Sequence, residues 1–182
     1  HTMQNIFETY IQSVSKKFSH TATSEMGYRK EFEILLEGIF ESIKVRRIDH
    51  DAKAVAGNKP DFIVHKFNIP ILYIEVKDIG IDLNKVEKSD QMARYFGYTN
   101  LILTDYVEFR FYRNGIPYGD PIKIANYDIK KRTIEPIPLN YAFVTKTIVD
   151  FSESQKEPIR SGKHLSQIMG GKAQRIRDNV MV

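Results

Sequence analysis

The sequence predicts one α/β domain in which a mixed central β-sheet is flanked by helices. Three observations carry that expectation. Two N-terminal stretches repeat apolar residues at helical spacing, two later stretches read as β-hairpins, and a helical segment lies between those hairpins.

Along the chain, Ile6, Phe7, Tyr10, Ile11, Val14 and Phe18 form a first amphipathic stripe over residues 3–18. A second helix opens at Thr23 or Ser24 as cap and carries Tyr28, Phe32, Leu35, Leu36, Ile39, Phe40 and Ile43 on one side. A short strand from Val45 leads into a turn-rich loop over residues 54–60. Residues 62–67 and 71–76 are β-branched and aromatic, and Asn68-Ile69-Pro70 between them suits a tight hairpin. Residues 85–96 have a helical pattern that stops at Gly97, and a short buried strand follows at 101–103. Residues 106–112 then run into Asn114-Gly115, a strong hairpin signal. Beyond that point the pattern weakens. The polar segment 150–161 suits a linker, and residues 165–180 suit a basic helix broken at Gly170-Gly171. The expected division is therefore a domain over residues 1–150, followed at 151–182 by a linker and the start of a connector. His1-Thr2 ahead of Met3 has the look of a tag remnant.

Composition narrows the function classes. The chain has 182 residues, enough for one domain with a substantial core. It contains no cysteine, which removes disulfides, thiolate zinc sites and cysteine nucleophiles, and suits a cytoplasmic protein. No apolar run approaches the roughly 20 residues that a membrane span requires. The net charge of +4 resides in the last third: residues 1–119 hold 16 basic and 16 acidic side chains, and residues 120–182 hold 11 and 7. Such an excess is compatible with a polyanionic partner without demanding one.

The chemistry concentrates around Asp61 and the run ILYIEVK at 71–77. Strand alternation places Leu72, Ile74 and Val76 on one face and Tyr73, Glu75 and Lys77 on the other. A two- or three-residue loop after Phe67 would set Asp61 opposite Val76 or Lys77, beside Glu75. Two carboxylates and an ammonium at the end of an apolar hairpin are costly to desolvate unless a cation organises them. Asp61, Glu75 and the Val76 carbonyl are hard oxygen ligands suited to magnesium, with manganese as a substitute. Lys77 would then position an attacking water or take its proton, an arrangement suited to phosphodiester hydrolysis.

Upstream, Glu25 falls on the stripe of the second helix, with Glu31 and Glu33 farther from its centre. Downstream, Gln91 and Tyr95 are four apart and share a helix face, where an amide and a phenol could meet the scissile phosphate or the water. Lys85, Lys88 and Arg94 could hold a phosphate backbone. Each part also has an ordinary structural reading. Pro-Asp opens many turns, Glu75 and Lys77 could be a weak ion pair on a solvated edge, and Gln91, Tyr95 and the three basic residues could simply be helix surface. His50, His65 and His164 are scattered and read as structural, and Asp78 and Asp82 as residues of a solvated loop, where either could also touch metal-bound water. The convergence of Asp61, Glu75 and Lys77 with Glu25, Gln91 and Tyr95 favours a metal-dependent site.

Pro60-Asp61 followed by Glu75-Val76-Lys77 resembles the signature of the PD-(D/E)XK nucleases, and Gln91 to Tyr95 resembles the QxxxY element of some members. Residues 23–37, 60–64, 73–82 and 89–109 resemble the N-terminal endonuclease domain of single-chain restriction-modification enzymes, the type ISP and type IIG-like fusions to an adenine methyltransferase. The resemblance implies a restriction-endonuclease-like core and magnesium dependence. It also implies Asp61 and Glu75 as metal ligands, Lys77 as the catalytic lysine and Glu25 as the upstream acidic residue. The implied partners are double-stranded DNA held by its phosphates, a second nuclease domain for double-strand cleavage, and downstream motor, methyltransferase and target-recognition domains. Two rivals remain: a stand-alone Mrr-like or repair nuclease, and a catalytically silent DNA-binding or assembly module. A small-molecule enzyme is disfavoured, because no glycine-rich phosphate loop or nucleophile triad is present.

Overall fold

Helix α1, Met3–Phe18, begins where the Thr2 side chain accepts from the Asn5 N–H and buries Phe7, Tyr10, Ile11, Val14 and Phe18, the stripe expected from the sequence. The computed structural model describes residues 2–20, 25–43, 47–50 and 59–154. A 3-10 turn at Glu25–Tyr28 runs into α2, Arg29–Ile39, which is thus shorter than the apolar stripe suggests. Its apolar face fits against that of α1.

The central sheet has the order β1 (Arg47–His50), β2 (Phe62–Lys66), β3 (Ile69–Val76), β4 (Asn100–Thr104), β5 (Glu108–Arg113) and β6 (Ile116–Pro117), and β7 (Ile122–Lys123) also pairs with β5. All pairs are antiparallel except β3 with β4. A parallel pair needs a crossover. Here it contains α3 (Leu83–Glu87) and α4 (Asp90–Tyr95).

Helix signals at 85–96 therefore resolve into two short helices rather than one. Asp82 accepts from the Asn84 N–H at the start of α3, and Ser89 accepts from the Met92 N–H at the start of α4. Ser89-Asp90 is an N-cap signal inside the helical pattern, and it restarts the helix with a new first turn.

The β2–β3 register also departs from expectation. The turn is the pair Phe67-Asn68, both in the left-handed region with φ of 54° and 63°, one residue earlier than the predicted loop. A register shift between Val64 and His65 adds a bulge, and Phe62 then pairs with Ile74. One step farther, Asp61 faces Glu75 instead of Val76 or Lys77. At the other hairpin, Asn114-Gly115 has φ of 52° and 80° and joins β5 to β6 as the sequence suggests.

Beyond Tyr118 the structure supplies elements that the sequence pattern did not reveal. Strands β8 (Ala125–Asp128) and β9 (Thr133–Pro136) form a separate hairpin, and α5 spans Tyr141–Ser154. The polar stretch from 150 is thus helical through Ser154, with Phe151 fully buried. Asn100 Nδ2 and Arg113 Nη2 both donate to the Phe151 carbonyl, at 3.3 and 2.9 Å, and tie that end of α5 to the sheet. The connector residues 165–182 lie outside the described residues. So does the turn-rich stretch 51–58.

Both faces of β3 are covered. Leu72, Ile74 and Val76 join α1, α2 and α5 in the main core, and Leu101, Leu103, Met92, Tyr95, Tyr98 and Tyr112 form a smaller core under α3 and α4, with Tyr73 against it. Phe32 stands at the centre of the larger one. Its ring meets those of Tyr10, Phe62, Tyr106 and Phe109 at centroid distances of 5.4 to 6.3 Å. Phe32→Ala should therefore cost about 3–5 kcal/mol, the range for emptying a buried aromatic site, and urea unfolding of the two proteins measures it.

Candidate active site

Asp61 immediately precedes β2, and its N–H donates to the Ile74 carbonyl at 3.0 Å. Its carboxylate turns across the ladder. Oδ2 accepts the Val76 N–H at 2.9 Å, and Oδ1 accepts from Arg29 Nη2 in a close ion pair. The aspartate thus fastens the open end of β2 to the strand end that bears Glu75 and Lys77.

Glu75 points into the layer beneath α3 and α4 and is 5% exposed. Its Oε2 lies 3.5 Å from Lys77 Nζ, while Oε1 is enclosed without a hydrogen-bond partner. Burial first, and then the neighbouring Asp61, push this carboxyl from its ordinary 4.5 up to about 9, and Lys77 only partly opposes them. The edge-exposed ion pair that strand alternation allows is therefore not what forms. In the protein alone, burial and the neighbouring Asp61 favour the protonated form of Glu75.

Lys77 leaves the strand as its N–H donates to the Thr104 carbonyl at 2.9 Å, and its Nζ donates to Gln91 Oε1 at 2.9 Å. Gln91 and Tyr95 both reach the site from α4, but they do different things. Gln91 holds the lysine. Tyr95 is buried, and its hydroxyl donates to the Lys59 carbonyl at 3.2 Å, anchoring the chain just before Pro60-Asp61. Burial, with Glu75 and Asp61 nearby, raises the Tyr95 phenol pKa, so it remains a donor.

Glu25 opens the 3-10 turn before α2, but its side chain lies outside the described residues. Glu31 pairs with Lys17 at 2.9 Å, away from the site. Asp82 caps α3, whereas Asp78 is half-buried, with Oδ1 enclosed and its carboxyl raised by burial, so it is not the simple solvated loop residue expected. His65 is buried 3.5 Å from Asp49, in keeping with a structural role. The side chains of His50 and His164 lie outside the described residues. Lys85, Lys88 and Arg94 are exposed on α3, at its end and on α4 respectively, in the layer that covers Glu75.

Arg29 is the site residue that the sequence pattern missed. It belongs to the first turn of α2, and 15% of its side chain is exposed. A cation in a first helical turn opposes the helix dipole, and that was the one available hint that something nearby holds it.

No protein-family model matches the chain, and no curated protein does. A solved structure described as a cryo-electron-microscopy DrdV–DNA complex matches in fold, with a TM-score of 0.62 and 18% identity over 84% of this chain. The match covers 14% of that chain's length. The mixed sheet flanked by helices is thus an architecture shared with a protein seen bound to DNA. Among the described residues, no helix is long and apolar enough to cross a membrane.

The raised Glu75 acidity has a definite sign for stability. Below about pH 4.5 folded and unfolded chains both hold the proton; between there and about 9 the unfolded chain has shed it and the folded one has not. The folded state binds more protons in that window, so stability falls as pH rises. Glu75→Gln removes this loss. In a chelating buffer its stability relative to wild type should increase from pH 5 to pH 8, as read by urea unfolding at both values.

Proposed function

We propose that this chain is a magnesium-dependent DNA endonuclease domain that hydrolyses phosphodiester bonds at Asp61, Glu75 and Lys77. The observation that carries the reading is the enclosed Glu75 carboxyl beside Asp61, with one oxygen accepting no hydrogen bond. A buried, unsatisfied carboxyl is destabilising, and such groups concentrate where function requires them.

The residues fit a divalent ion. Asp61, Glu75 and the Val76 carbonyl are oxygen donors at one strand end, and magnesium characteristically takes one or two carboxylates and keeps several waters. Among the described residues no group of three acidic or imidazole side chains converges, so a site crowded with protein ligands is not the reading; Glu25 remains a further proposed ligand. A bound cation would supply charge neutralisation at the phosphate and activation of the attacking water. Within the chain, Asp61 and Glu75 hold that charge in place, with Glu75 giving up its proton to do so. Lys77, steadied by Gln91, presents its ammonium to the attacking water or the developing phosphate charge. Tyr95 keeps the Lys59–Asp61 backbone in register with Glu75.

The finer reading is of a nuclease domain within a restriction-modification enzyme. It is supported by the motif resemblance and by a match to a small part of a much longer chain in a DNA complex. Exposed Lys85, Lys88 and Arg94 would grip phosphates, a contact that weakens with salt and reads no bases. Target choice, double-strand cleavage and coupling to methylation then belong to partner domains.

The test is nicking of supercoiled plasmid by the protein with magnesium or manganese. Asp61→Ala and Lys77→Ala should each lower the rate about a hundredfold or more, the scale lost with one charge-stabilising or proton-handling group, and chelator should abolish it. Undiminished nicking in both variants refutes the site. A wild type that binds manganese yet does not nick points to a domain that its partners must position. A wild type that does neither is a silent module.

A further inference from the structure

The proposed metal ligand Asp61 already has a cation on it. Arg29 Nη2 pairs with Oδ1 while the Val76 N–H occupies Oδ2, so neither carboxylate oxygen is idle in the protein alone. The Asp61 and Arg29 side chains are 16% and 15% exposed, so this is a largely desolvated pair rather than a surface contact. Arg29 also lies over the Phe62 ring, at 5.8 Å from its centroid, and Phe32 of the same helix meets that ring at 5.4 Å, one residue after Asp61. A divalent ion on Asp61 would meet that guanidinium at close range, where like charges repel strongly in a site of reduced dielectric.

We propose that Arg29 competes with the divalent cation for Asp61 and is drawn from it by a DNA phosphate, which makes cation binding and DNA binding mutually reinforcing. The inference rests on the nuclease reading above. It adds a phosphate ligand contributed from outside the motif. Arginine suits that exchange, because its planar fork pairs equally well with a carboxylate or a phosphate. Released from Asp61, it stands beside the carboxylates that flank the scissile bond. If DNA removes the competitor, DNA strengthens cation binding, and by linkage the cation strengthens DNA binding by the same factor.

The experiment measures manganese affinity by titration calorimetry, without DNA and with a short duplex of arbitrary sequence. It uses the wild-type protein, Arg29→Gln, Arg29→Lys and Asp61→Asn. In the wild type, the duplex should tighten manganese binding roughly tenfold, within the usual range of allosteric coupling. Arg29→Gln should bind manganese roughly tenfold tighter than wild type without DNA and gain little when DNA is added. Arg29→Lys keeps the competing charge and should stay near the wild-type value without DNA, which separates charge from any loss of fold in the glutamine variant. Arg29→Gln affinity equal to or weaker than wild type, with binding lost in Asp61→Asn, overturns the competition and leaves the nuclease reading standing. Absence of manganese binding in every protein, with and without DNA, overturns both.

Discussion

The hydrogen bond from the Val76 N–H to Asp61 Oδ2 is the contact on which the site depends. It closes the open end of the β2–β3 ladder with a side chain where a carbonyl would ordinarily stand. That substitution brings the two carboxylates face to face. The turn at Phe67-Asn68 and the bulge after Val64 set the register that makes it possible. A one-residue slip would send Asp61 to the opposite face of the sheet.

Burial does the rest. β3 pairs on both sides and is covered on both faces, so Glu75 is largely shielded from solvent, and its environment favours the neutral acid. The protein tolerates the cost of this arrangement because the main core is anchored elsewhere, in the aromatic cluster around Phe32 and in α5. The loop after Lys77 is braced separately. A side chain at Gly80, where φ is 106°, would come within 2.7 Å of Ile129 in the β8–β9 turn, so the hairpin seats directly on that loop. The main core and the Glu75 carboxyl thus lie on different faces of the same sheet.

Much of this was legible in the sequence because it is local. The period of α1, the alternation along β3 and the turn at Asn114-Gly115 are short-range patterns, and the structure follows them. Asp61, Glu75 and Lys77 were brought together by a hairpin argument that needs only 17 residues of chain. The register error arose from a bulge, which no alternation pattern encodes. The split between α3 and α4 followed from a serine cap hidden within a helical stripe. Strands β8 and β9 were missed because their residues are mostly exposed and carry no apolar alternation. Arg29 was missed for a different reason, since its significance arises only when α2 packs beside Asp61.

That difference defines how the site is built. Asp61, Glu75, Lys77, Gln91 and Tyr95, with the backbone groups of Lys59 and Val76, belong to one β-hairpin and its crossover, within residues 59–104. The unit is locally determined, and its side chains fix one another: Gln91 holds Lys77, Tyr95 holds Lys59, and Asp61 holds Val76. Among the described residues, Arg29 is the charged group that reaches it from another layer. A helix shift of an ångström or so would leave the hairpin intact and still part Arg29 from Asp61. The ion pair on Asp61 therefore depends on how α2 packs on the sheet.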